Sequence, residues 1–160
     1  MRIISSMQAV MPDGKHTMVY RIQTPGGFYV IYVDEVANPE DSHISLPKGI
    51  LNGIRPTLLT IQGGCYEIIF DLERNINNGT PFKRPRNSHQ YNLNIIIAHI
   101  INNHYTAHKP YCYTFLAYNK ILARAYRRAL LDILTRYPST IKKIHLNFDP
   151  ERRGYAIELY

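Results

Sequence analysis

The stretch Tyr118–Tyr137, YNKILARAYRRALLDILTRY, separates its apolar residues from its charges at helical spacing. Ile121, Leu122, Ala125, Tyr126, Ala129, Leu130, Ile133, Leu134 and Tyr137 recur every three or four positions, which a helix gathers into one stripe. A core helix over about 119–137 is predicted. Lys120, Arg124 and Arg128 recur every four positions on another face, with Arg127 beside them and Asp132 one turn beyond Arg128. That face is either a docking surface for an anionic partner or a solvated face softened by an Arg128/Asp132 pair.

Upstream of this helix, Leu93, Ile96, Ile97, Ile100, Ile101 and His104 also repeat at helical spacing. Their isoleucines favour a strand, but the run is too long without a turn signal, so a helix over about 88–106 is expected, capped by Asn87 or Ser88. Lys109-Pro110 stops it. Tyr111–Tyr118 between the helices reads as a buried strand, and Lys142–Phe148 with Gly154–Tyr160 as a hairpin about Asp149–Arg153.

In the first half, Met18–Gln23 and Phe28–Val33 flank Thr24-Pro25-Gly26-Gly27, a strand-turn-strand signal. Arg2–Val10 reads as a further strand running into Pro12-Asp13-Gly14. Thr57–Gln62 and Cys65–Leu72 flank Gly63-Gly64 as another hairpin. Ala37–Pro56 reads as a long, mobile connection with a helical turn near Lys48–Leu51, and Arg74–Asn87 as a loop. This order lacks strict strand-helix alternation and predicts an α+β fold. The expected architecture is a mixed, mostly antiparallel sheet of hairpins with two helices, about 88–106 and 119–137, packed on one face. Residues 1–160 are expected to form a single domain, with a β-rich first half (1–73) and a helix-strand-helix-hairpin unit (88–160). A two-subdomain arrangement is the alternative.

With 160 residues, 45% of them hydrophobic, the chain can bury a core without disulfides or metal. Nineteen Lys+Arg against twelve Asp+Glu give a formal charge of +7, a field that favours nucleic acid or an acidic protein surface. Cys65 and Cys112 are far apart in sequence, each within an apolar segment, and read as buried thiols in a reducing, cytoplasmic setting. No signal-peptide pattern or membrane-length apolar run occurs, so no membrane association is expected. Thirteen tyrosines and no tryptophan predict partly exposed rings, since each hydroxyl needs a partner or water.

NLNIIIAHIINNHY, YCYTFLAYN and ARAYRRALL together resemble small bacterial and phage domain families of unknown function. In those a helix leads to a strand and then to a helix with an Arg-x-x-Tyr-Arg type motif. Arg124-Ala125-Tyr126-Arg127 is similar, with one residue between arginine and tyrosine. The resemblance covers less than half the chain and implies an accessory or mobile-element origin, with no activity attached.

Enzyme signatures are sparse: glycine-rich phosphate loops, Gly-x-Ser-x-Gly and Cys-x-x-Cys are all missing. His104 and His108 share the spacing of helical metal ligands, but without a following Glu they read better as histidines at a helix C-terminus, and neither metal nor cofactor is expected. Glu67, Asp71 and Glu73 alternate on a strand as a carboxylate nuclease site would, yet Ile68, Phe70 and Leu72 claim the buried face, so the acids are expected in solvent. A metal-independent ribonuclease would draw on His89 or His145 with Arg124 and Arg127.

Cations interleave with aromatics in Phe82-Lys83-Arg84-Pro85-Arg86, followed by Tyr91, and in Arg152-Arg153-Gly154-Tyr155. Cations contact phosphates and rings stack on unpaired bases, so these loops beside the basic helix would line a groove. The candidate binding residues are Lys83, Arg84, Arg86, Tyr91, Lys120, Arg124, Arg127, Arg128, Arg152, Arg153 and Tyr155. The expected function is that of a small, basic, non-enzymatic binding protein for an anionic partner, either single-stranded nucleic acid or an acidic protein. A protein-directed inhibitor or antitoxin-like module and a small ribonuclease are the alternatives.

Overall fold

The computed structural model describes residues 2–10, 12, 14–54, 63–83 and 93–160. Among the described residues, seven strands form one open sheet: β1 (Arg2–Val10), β2 (His16–Thr24), β3 (Gly27–Glu35), β4 (Cys65–Leu72), β5 (Cys112–Leu116), β6 (Ile141–Leu146) and β7 (Gly154–Leu159). Their spatial order is β1-β2-β3-β4-β5-β7-β6, and every adjacent pair is antiparallel except β4 and β5. The fold is α+β, as expected.

The β2–β3 hairpin closes between Thr24 and Gly27, where Gly27 takes φ of +124°, a region costly to any residue with a Cβ. Thr24 locks the turn: its Oγ1 accepts from the Gly26 amide at 3.2 Å and donates to the Gly27 carbonyl at 3.0 Å. The expected hairpin through Gly63-Gly64 has a different outcome. β3 runs along one edge of β4, and β5 takes the other over Cys65–Ile68, while the expected partner 57–62 lies outside the described residues. This parallel pairing joins the two halves of the chain in one sheet.

Helix α1 is Lys48–Leu51, α2 is Glu73–Asn77 and α3 is Leu93–Ile100. The helical path continues from α3 through a π turn, Ile101–Tyr105, into α4, Thr106–His108. It ends where Lys109 turns left-handed (φ 45°) ahead of Pro110; the expected start at 88–92 lies outside the described residues. Helix α5, Lys120–Arg136, begins at Asn119, whose side chain accepts from the Leu122 amide at 2.8 Å, and stops before Tyr137-Pro138. The short α2 corrects the expectation of a loop from Arg74. Buried Asn75 secures it, donating to Asp71 Oδ1 at 2.7 Å and to the Lys83 carbonyl at 2.8 Å.

Helices α3 and α5 cover one face of the sheet. Ile96, Ile97, Ile100, Leu122, Tyr126, Leu130 and Ile133 pack on Ile22, Ile31, Ile68, Phe70, Phe115 and Ile157. Each such side chain contributes roughly 1.5–3 kcal/mol by leaving water. The opposite face is covered by the connection after β3: Val36, Ile44, Leu46 and Ile50 lie over Cys65, Cys112 and Ala156. Ala37–Pro56 is therefore, over its described part, a packed cover and not the mobile link its prolines suggested. The thiols far apart in sequence are register partners, Cys65 opposite Cys112, both free and buried.

Candidate functional site

Parallel pairing of β4 with β5 ends at Ile68 and Phe115, after which β5 turns away toward α5. The edge of β4 beyond Ile68 is thereby left facing a notch, walled by Ile69 and Phe70 on one side and by Leu116 and Tyr118 on the other. Phe82, Tyr126, His43 and Glu67 complete the lining. The crevice beside the carboxyl end of a parallel strand is a common ligand position in open sheets. The notch measures about 10 Å³, room for about one water. It can seat a single hydroxyl or phosphate oxygen, and anything larger must lie against its rim.

Glu67 is buried, contrary to its expected place in solvent: its face of β4 is roofed by the segment after β3. A buried carboxylate is costly unless hydrogen-bonded, and this one is well supplied. Oε1 accepts from Ser42 Oγ at 3.2 Å and from the His43 amide at 3.1 Å, while Oε2 takes a short hydrogen bond from His43 Nδ1. The Glu67 side chain is 3% exposed and that of His43 59% exposed. With Nδ1 engaged by the carboxylate, the imidazole presents Nε2 away from it. Asp34 sits opposite Glu67 in register; burial raises its carboxyl above the usual range, opposed by a Thr17 hydrogen bond and by the charges of His43 and Lys15.

The other two acids of the expected trio, Asp71 on β4 and Glu73 at the start of α2, serve structure. Asp71 accepts from the Leu72 amide at 2.7 Å and from the Phe82 amide at 2.6 Å, which fixes the loop carrying Phe82. Glu73 pairs with Arg21, whose guanidinium holds its carboxyl below the usual range. No group of three or more metal-ligating side chains occurs among the described residues.

Three of the expected binding segments meet at the notch. The ring of Phe82 stacks on Tyr118, centroids 3.9 Å apart; exposed Lys83 follows Phe82 in the chain, and exposed Lys120 opens α5 two residues after Tyr118. The Arg153 carbonyl accepts from the Ala117 amide at 2.9 Å, so the last hairpin turn, with exposed Arg152, borders the same corner. Arg124, Arg127 and Arg128 are exposed along α5. Arg84, Arg86 and Tyr91, and with them His89, lie outside the described residues.

Several expectations are corrected. Tyr155 is buried, its hydroxyl donating to the Ala123 carbonyl at 3.1 Å, because its place in β7 faces the helices; it supports α5 and cannot touch a partner. Arg153 is partly buried and paired with Glu151. Asp132 pairs with Arg136 at 2.9 Å, so it does not soften Arg128. Ile121 and Leu134 are exposed, since they flank the arc of α5 that meets the sheet. With Leu131 they place aliphatic side chains among the arginines. His145 pairs with Glu158 at 2.7 Å on the sheet face opposite α5, away from Arg124 and Arg127. His104 is fully buried and shares a 2.7 Å hydrogen bond with the Tyr113 hydroxyl, where a dipole-facing position was expected; the π turn carries it into the core.

His43 was the residue missed. It lies in a proline-rich connection, and only its closeness to Glu67 distinguishes it. No helix among the described residues is long and apolar enough to cross a membrane. No protein-family model, curated protein or solved structure matches the chain.

Proposed function

We propose that the protein is a small basic binding module for single-stranded nucleic acid, using the notch rim and the outer face of α5. The observation that carries this reading is the Phe82–Tyr118 stack, with exposed Lys83 next to Phe82 in the chain and exposed Lys120 two residues beyond Tyr118. A half-exposed ring flanked by cations offers a base a stacking surface and its phosphates a counter-charge. Arg124, Arg127 and Arg128 extend the positive track along α5, and Arg152 adds to it at the corner. Buried thiols go with a reducing, cytoplasmic setting.

Fluorescence anisotropy with labelled single-stranded RNA and DNA across a salt series tests the proposal. Arg124→Ala/Arg128→Ala should weaken binding and lower the salt slope by roughly 0.7 per phosphate contact removed. Arg84→Ala/Arg86→Ala should do the same if that loop joins the track. Affinity weaker than about 10⁻⁴ M for the unmodified protein at low salt would rule the reading out.

An acidic protein surface is the second reading, favoured by exposed Ile121, Leu131 and Leu134 on the same helix as the arginines. An inhibitor or antitoxin-like module would bind this way, with aliphatics at the centre of the contact and salt affecting affinity less.

A further inference from the structure

We infer that His43, held by the buried carboxylate of Glu67, is a general base that cleaves single-stranded RNA at the RNA's own 2′-hydroxyl. The inference rests on the nucleic-acid reading above and adds a reaction to it. Three observations converge. Glu67 is buried yet engages Nδ1 of a histidine whose ring is mostly exposed, so the neutral imidazole keeps its lone pair on Nε2. His43 lines the same notch as Phe82 and Tyr118, whose stack forms the rim where a base would lie. Exposed Lys83, next to Phe82 in the chain, and exposed Lys120, two residues after Tyr118, supply positive charge for a phosphate.

The chemistry needs no nucleophile from the protein. The hydroxyl of Ser42, which contacts Glu67, is committed: its Oγ donates to Glu67 at 3.2 Å and accepts from the Ile44 amide at 3.3 Å. RNA brings its own nucleophile, and the small notch suits one hydroxyl or phosphate oxygen. His43 Nε2 takes the 2′-hydroxyl proton, the 2′-oxygen bonds to phosphorus, and the bond from phosphorus to the 5′-oxygen breaks. The leaving 5′-oxygen takes a proton from water, and the imidazolium returns its proton to solvent. The products are a 2′,3′-cyclic phosphate and a 5′-hydroxyl. Glu67 is a positioning residue, fixing the tautomer and favouring the imidazolium as it forms.

The test uses the full chain, a labelled single-stranded RNA and the DNA of the same sequence, in EDTA to silence metal nucleases. Expected are cleavage of RNA alone with cyclic-phosphate ends, and a loss of about 10²-fold or more in His43→Ala, the usual contribution of a general base. His43→Ala should still bind RNA, and added imidazole should restore part of its cleavage. Glu67→Gln should lower kcat with KM and the melting temperature little changed, a split that a merely structural carboxylate would not produce. Should Glu67→Gln fail to fold, the His43→Ala rescue decides alone. RNA binding without cleavage by the unmodified protein overturns the inference and leaves the binding reading intact. Undiminished cleavage by His43→Ala, or its failure to respond to imidazole, also overturns it. Absence of RNA binding removes both.

Discussion

Phe82 lies nearly flat on Tyr118, with ring planes 18° apart and centroids 3.9 Å apart. Phe82 hangs from a loop pinned by Asp71, and Tyr118 stands at the end of β5 just before α5. One ring contact thus joins the basic loop to the basic helix. It also closes the notch over the end of the parallel strand pair.

Breaking this stack should cost little stability and much binding. A stacked aromatic pair is worth about 0.5–1.5 kcal/mol beyond its buried area, so a double-mutant cycle of Phe82→Ala and Tyr118→Ala in urea should give a coupling of that size. Tyr118→Ala should weaken single-stranded RNA binding by roughly 1–3 kcal/mol, the usual loss of a base-stacking platform. RNA affinity equal to that of the unmodified protein would exclude Tyr118 as a platform.

Helix α5 should divide cleanly between core and surface. Leu130 and Ile133 are fully buried, so Leu130→Ala and Ile133→Ala should each destabilise by about 2–5 kcal/mol in equilibrium unfolding. Lys120→Ala and Arg124→Ala should leave the midpoint nearly unchanged, since exposed cations contribute little. A large loss at either cation would mean that the outer face is structural.

Acid should weaken the fold through its buried histidines. Burial, with the nearby charge of His108, lowers His104 to a pKa of about 3, and burial also lowers His99. The folded pKa lies below the unfolded one, so the stabilising contribution is complete above about pH 6.5 and is lost as pH falls toward the folded value. Across that window each such group should remove up to about 1.4 kcal/mol per pH unit. Comparing His104→Phe with the unmodified protein by urea unfolding at pH 7 and pH 5 should show a smaller acid loss in the variant. An identical loss would show that His104 takes up its proton in the folded state.

Cys65 and Cys112 should be silent toward thiol reagents until the cover over them opens. The hydrogen bond with the Cys65 thiol, and after it burial under Ile44, Leu46 and Ile50, raise the Cys112 thiol well above its ordinary pKa, which removes the reactive thiolate. A chromogenic disulfide reagent should label neither cysteine in native buffer and both in guanidinium. Leu46→Ala should speed labelling by loosening the roof; rapid labelling of the unmodified protein would show that the cover is loose.

What the sequence determined by itself was local and periodic. Leu130 and Ile133 declare the buried side of α5 through spacing, Gly27 declares its hairpin through a conformation that other residues avoid, and Lys109-Pro110 declares the end of a helical run. Even there the margins were beyond it: whether Ile121 and Leu134 are covered depends on how wide an arc the sheet meets. Tertiary structure alone decided which distant segments share a wall. Glu67 alternates like a solvent-facing residue, yet the segment after β3 folds over it and brings His43, 24 positions away, onto its carboxylate. Tyr155, beside two arginines, reads as part of a contact surface until its strand turns it beneath α5. Periodicity reports which side of its own element a residue occupies; what covers that side is set by pairings such as β4 with β5, whose partners lie far apart in the chain.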